Sequence, residues 1–423
     1  MFRNLLYEGS RILRRKMSIT TKRLDNGITL LMEDIKSINT ASLGFFVRAG
    51  VKNELPGEEG ISHFIEHLLF KGTTNRSAKE ISEEIDDQGG MINAYTSVEK
   101  TAYYIQMTSN TLEIGIDILN DMFLNSTFTD ENIEKERNVI IEEIRMYEDI
   151  PEEVVHEENL GFAITGAQSQ KVAGTIESLK GIDREKILKY FYDMYKPENI
   201  VVAAAGNIEE EKIFKQLNEG IGQLKDRSTK RVYNGDMVIN SGEKIIVQET
   251  NQVHLCINTL GTSSTDKDRV EASVISNVLG GNMSSRLFQK IREERGLAYS
   301  VYSYTSNFDE GGLFTVYAGT THEDYKEVIS LIEEELKELK ENGITEKELQ
   351  RAKNQFLSMV TFGLESSKGK MTRMAGSYLV YGYVRDIETV IKEIEDVNLN
   401  DIKRVAKKIF DEKYISKTIL GNI

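Results

Sequence analysis

Apolar positions along this chain recur with two different periods. Short apolar runs bounded by Gly, Asn and Asp read as strands: Ile28–Met32 after the Asn26-Gly27 turn, Ala41–Val47 ahead of Arg48–Gly50, and Ile200–Ala205 ending at Gly206-Asn207. Met91–Met107, rich in Tyr, Thr and Ile, reads as two further strands. Between these runs the apolar spacing becomes helical. It predicts helices over Ser62–Phe70, Ala78–Gln88, Leu112–Leu124, Asp130–Tyr147 and Glu209–Leu224. Gly89-Gly90 supplies a helix stop, and Ser62 is the expected N-cap of its helix.

The second half repeats this order. The run 254–261 parallels 44–50, 285–304 parallels 77–97, and 324–360 parallels 111–144. The last pair both read helix, short turn, Thr, acidic cap, helix. The period is far too long for a solenoid unit, so it means duplication of a domain. The expected fold class is α+β, with two similar mixed α/β sandwich domains. The boundaries read as an extension over 1–18, a first domain over 19–225, a polar linker over 226–236 and a second domain over 237–423.

Composition narrows the function classes. The chain has 423 residues with 39% hydrophobic and 29% charged, a globular balance. No apolar run approaches the roughly 20 residues of a membrane helix. With 53 basic and 68 acidic residues the net charge is −15, which argues against nucleic acid as a partner. The single cysteine, Cys256, excludes a disulfide framework within the chain and reads as a small core residue. Residues 1–16 carry five basic residues and one acid without a continuous apolar core, so they are not a secretory signal. They read as an extension ahead of Met17. An Arg-rich transit peptide, and with it a mitochondrial matrix location, is the alternative to a bacterial cytoplasm.

The chemistry gathers at His63 and His67. Two of only five histidines lie four residues apart, on one face of a predicted helix. Glu66 sits at the edge of that face. This is an H-x-x-E-H arrangement, in which two imidazoles bind one metal ion and the glutamate reaches a metal-bound water. Phe64, Ile65, Leu68 and Leu69 would bury the helix. A catalytic zinc needs a third protein ligand. Glu136, Glu142 and Glu143 lie on the helix predicted over 130–147, and spacing alone does not choose between Glu142 and Glu143. His156, His254 and His322 have no partner at ligand spacing and read as structural.

The run GISHFIEHLLFKGT, followed 76 residues after His67 by the glutamate of ERNVIIEEI, resembles the pitrilysin, insulinase and mitochondrial processing peptidase family. The resemblance spans 19–423. It implies one zinc ion per chain on His63, His67 and Glu143, with Glu66 as the general base and Glu136 as a supporting acid. It implies substrate pairing along the strand near Asn93 and Ala94. It also implies an Arg292 and Tyr299 pair that holds the substrate carbonyl and the developing oxyanion. The function it implies is a zinc-dependent endopeptidase or oligopeptidase acting on unfolded peptides. Its closed chamber is built from four domains, so a two-domain chain implies a clam-shaped homodimer. A non-catalytic or partner-dependent peptide-binding subunit is the alternative. The stretch 162–175 departs from the family by lacking a Gly-His-Pro-like turn. Gly280–Ser284 lacks the Gly-Lys-Ser/Thr ending of a phosphate loop.

Overall fold

β-branched and aromatic runs flanked by turn residues become strands, and the amphipathic segments between them cover the resulting sheets. The computed structural model describes residues 18–229 and 236–423. The reading of residues 1–16 and most of the 226–236 linker therefore lie outside the described residues. In chain order the strands are β1 (Ile19–Arg23), β2 (Thr29–Asp34), β3 (Thr40–Val47), β4 (Met91–Thr96), β5 (Thr101–Thr108), β6 (Ile164–Thr165), β7 (Ile200–Gly206), β8 (Val238–Ile239), β9 (Gly242–Val247), β10 (Val253–Leu260), β11 (Ala298–Asn307), β12 (Gly312–Thr320) and β13 (Ser416–Gly421).

The strands build two large sheets. The first runs β1-β2-β7-β3-β5-β4 and the second β11-β12-β10-β13-β9. β2 is parallel to β7, and β7, β3, β5 and β4 then alternate in direction. β9 is likewise parallel to β13, and β13, β10, β12 and β11 alternate. The same order and directions in both sheets express the duplication as topology. The fold is α+β with two similar units.

Compactness groups residues 18–142, 172–229 and 359–388 in one unit, and 143–171, 236–358 and 389–423 in the other. The units therefore do not follow the two halves of the chain. Helix Ser367–Tyr381 joins the first unit, where Met371, Met374, Ala375 and Leu379 pack with Leu31, Phe46, Ala102, Val201, Ala203 and Ala205. Its counterpart Pro151–Ala163 joins the second unit, where Val155 packs with Cys256, Tyr317 and Leu420. The two halves thus exchange equivalent helices. Cys256 is buried in this second core, as a small apolar residue would be.

The helix that carries both histidines differs from expectation at its start. It spans Ile61–Leu69, and its N-cap is Gly60 at φ 91°, with no side-chain cap. Ser62 lies buried inside the helix, where its hydroxyl meets Tyr190 Oη at 2.7 Å. A local Ser signal lost to a tertiary hydrogen bond, and the cap position went to a residue able to adopt positive φ.

Candidate metal centre

Gly60 begins the motif helix at a close approach. A Cβ there would lie 2.6 Å from the Ala173 carbonyl oxygen, and one at Gly174 would lie 2.4 Å from the Glu59 carbonyl oxygen. Two glycines with positive φ let these loops touch, and the departure at 162–175 leads into this contact. Along the helix Phe64, Ile65, Leu68 and Leu69 are at most 2% exposed, while His63, Glu66 and His67 are half-buried on the other side. The two imidazole rings lie 4.6 Å apart at 72°. Burial, with the neighbouring His67 second, pushes His63 down to about 4. It stays neutral at physiological pH, the form that ligates metal.

The second contributor is helix Asp130–Glu148, one continuous element in which the division between the compact units falls at Glu142 and Glu143. Ile133, Ile140 and Ile141 bury one side of it. Arg137 anchors it by donating to the Leu179 and Ile182 carbonyls, the latter at 2.8 Å, and lies over the Phe64 ring at 5.5 Å. That contact ties the helix to the back of the motif helix. Glu136 is buried, with Oε2 3.2 Å from His67 Nδ1 and Oε1 3.0 Å from Lys71 Nζ. A proton on Nδ1 facing this carboxylate puts the His67 lone pair on Nε2.

His63, His67 and Glu143 each offer one ligand atom, and these atoms lie within 4.8 Å of one another. Among the described residues no other three of His, Cys, Asp and Glu form such a group. Two imidazoles and a carboxylate are the donor set of a zinc site that keeps a position open. The residues present therefore fit the ion. Spacing left Glu142 and Glu143 open, and the gathered group contains Glu143.

Glu66 accepts from the Thr96 hydroxyl at 2.5 Å, which links the motif helix to the end of β4. Nearby Tyr103 and Tyr195 join hydroxyl to hydroxyl at 2.8 Å, and burial holds both well above the usual phenol range. β4 is an edge strand, paired only to β5 through Asn93 opposite Tyr104 and Ala94 opposite Tyr103. The Ala94 N–H already donates to Asn93 Oδ1 at 2.7 Å. In the second unit the Arg292 guanidinium lies 5.2 Å over the Tyr299 ring and 4.8 Å over Phe288, and Tyr299 is 74% exposed.

The remaining histidines have polar partners. His156 meets Tyr304 at 3.0 Å and Tyr302 at 2.8 Å, His254 meets Tyr317 at 2.9 Å, and His322 donates to the Thr250 carbonyl at 3.0 Å. Sequence reasoning missed Glu54, Lys71, Thr96 and Tyr190 around the motif. Glu54 accepts from the Gly60 and Ser62 amides at 2.8 and 2.9 Å. Burial pushes its carboxyl up to about 8, against the pull of those two amides. No side-chain pattern announces such a contact, because its partners are backbone groups. Lys71, four residues after His67, did carry a spacing signal.

In the first sheet's unit a two-histidine helix lies against a glutamate helix, and His63, His67 and Glu143 on them form a group that could hold a metal ion. Residues 29–173 match the family model described as insulinase, peptidase family M16, and residues 181–356 match that described as peptidase M16 inactive domain. The chain belongs to peptidase family M16. It is 37% identical over 396 residues to an uncharacterized zinc protease, YmxG, of Bacillus subtilis, covering 92% of this chain and 95% of that one. It is 36% identical to an uncharacterized zinc protease of Streptomyces coelicolor, covering 92% and 87%. In fold it is similar to a protease from Helicobacter pylori, with a TM-score of 0.89 at 21% identity over 96% of this chain and 99% of that one.

Proposed function

We propose that this chain is a zinc-dependent endopeptidase or oligopeptidase that cleaves unfolded peptides. The observation that carries the reading is the gathering of His63, His67 and Glu143 with Glu66 on the same helix face. The zinc-protease names of the relatives support the metal. One zinc per chain would supply a Lewis acid that polarises the scissile carbonyl and acidifies water. His63, His67 and Glu143 hold the ion, and Glu136 with Lys71 orients His67 from behind. Glu66 takes the water proton and returns it to the leaving amine, with the Thr96 hydroxyl fixing its carboxylate in the meantime. The edge strand β4, at Asn93 and Ala94, aligns an extended substrate backbone once the Ala94 amide leaves its own side chain. Such pairing requires free main chain, which folded proteins do not offer. The resemblance supports Arg292 and Tyr299 as oxyanion partners, and a homodimer as the working assembly. A bacterial cytoplasm is its proposed place, and the bacterial relatives support the bacterial part of that reading.

Glu66→Gln tests the assignment. It should keep about one zinc per chain, because Glu66 is not a ligand. Its kcat on an unfolded peptide should fall by roughly 10²–10⁴-fold. Chelation should silence the wild type, and added zinc should restore it. A Glu66→Gln enzyme with normal turnover, or a metal-free wild type with full activity, would end this reading.

A further inference from the structure

Every helix leaves its first amides without intrahelical acceptors. In the motif helix the N-cap is a glycine, which has no side chain to accept them. The acceptor comes from outside. Glu54 is 4% exposed, and its Oε2 takes the Gly60 amide at 2.8 Å while Oε1 takes the Ser62 amide at 2.9 Å. Glu54 is held in turn from its own main chain. Its amide donates to the Val51 carbonyl at 3.0 Å, and the next amide, Leu55, donates to Glu58 Oε2 at 2.9 Å. The Glu58 carbonyl accepts from Ile61 at 2.9 Å. Tyr190 closes the arrangement, touching Ser62 Oγ and donating to the Gly50 carbonyl at 3.2 Å.

The two histidines are therefore supported from opposite ends of one short helix. His63 lies in the first turn, directly after Ser62. His67 lies in the last turn, against Glu136. We propose that Glu54 is the positioning residue for His63, setting the first turn of the metal-binding helix as Glu136 and Lys71 set the last. This rests on the reading of His63, His67 and Glu143 as metal ligands. The two oxygens of the Glu54 carboxyl each take one amide, which fixes the turn in rotation and in height. An amide side chain at the same position accepts one and turns its NH₂ toward the other. Losing Glu54 then loosens His63 and leaves Glu66 and His67 in place.

The separation of these supports gives a test. Zinc affinity is measured by chelator competition, and kcat at saturating zinc, in the wild type, Glu54→Gln and Asn120→Ala. Asn120 is a buried residue accepting the Ile221 amide at 3.0 Å, and it serves as a control for general destabilisation. Glu54→Gln should bind zinc about 10–100-fold more weakly, the range for residues that orient ligands. Its kcat should return to within about threefold of wild type once zinc saturates, where Glu66→Gln stays impaired at any zinc concentration. Asn120→Ala should melt at lower temperature with unchanged zinc affinity. Should Glu54→Gln fail to fold, Glu54→Asp takes its place, since the shorter carboxylate reaches one amide and should show an intermediate loss. Wild-type zinc affinity in a folded Glu54 variant overturns the proposal. A wild type that binds no zinc removes the metal reading and the proposal with it, an outcome distinct from a zinc-binding wild type with an indifferent Glu54.

Discussion

The two sheets share strand order and direction, yet their parallel pairs end differently. In the first unit β1 pairs along the outer edge of β2, and Leu30, Leu31 and Met32 are fully buried. In the second unit no described strand pairs with the outer edge of β9, and its Ile245 and Val247 are 54% and 72% exposed. The helices following β3 and its counterpart β10 also diverged. Ile61–Leu69 carries two histidines, whereas Arg269–Gly280 carries none. A duplicated topology therefore fixes where chain passes without fixing which copy bears chemistry. That depends on a few side chains and on what supports them.

Substitution in each sheet separates a covered strand from an open one. Leu30→Ala in covered β2 should cost about 2–5 kcal/mol, the range for a truncated core leucine. Ile245→Ala in open β9 should stay within about 0.5 kcal/mol, as surface changes do. Denaturant unfolding of both variants measures the contrast, and equal losses would mean that β9 is covered in solution.

A smaller effect separates holding a ligand from being one. Glu136→Gln keeps the shape beside His67 but gives up the charge shared with Lys71. Zinc binding should weaken about 10–100-fold without vanishing. Chelator competition reads this directly, and an unchanged affinity would leave Glu136 as packing alone.

The smallest effect is in titration. Burial lowers both His63 in the first unit and His156 in the second. In metal-free protein His63 should titrate near 4, below its ordinary value of 6.5. Between those values the unfolded chain binds the proton and the folded one does not. Stability therefore falls as pH drops from about 6.5 to 4 and levels off below. Histidine NMR signals followed with pH and then with zinc should show the ion moving His63 and leaving His156. The reverse would place the metal in the wrong unit.

Local patterns carried much of this molecule. The strand expected at Ile200–Ala205 is β7, the helix at Leu112–Leu124 runs to Asn125, and that at Asp130–Tyr147 runs to Glu148. Each is a long apolar or strongly periodic run, where backbone preference and burial agree. The H-x-x-E-H helix was equally plain, because i,i+4 spacing puts both imidazoles on one face. Ser62 misled, since a serine ahead of an apolar run is a good cap until a buried tyrosine hydroxyl competes for it.

Element type and the pair His63 and His67 were legible in the chain because they depend on residues within a few positions of one another, and the repeat because the order of elements recurs. Spacing alone left Glu142 and Glu143 open, and the family resemblance named Glu143; adjacent residues on a helix point about 100° apart, and packing gathers the Glu143 ligand atom with those of the two histidines. The tertiary structure alone decided that Ser367–Tyr381 covers the first sheet and Pro151–Ala163 the second. Two equivalent helices have similar apolar faces, so pattern cannot say which sheet each will cover. The fold alone showed Glu54 at the helix start, because a carboxyl bonded to backbone amides leaves no trace in the side chains of its partners.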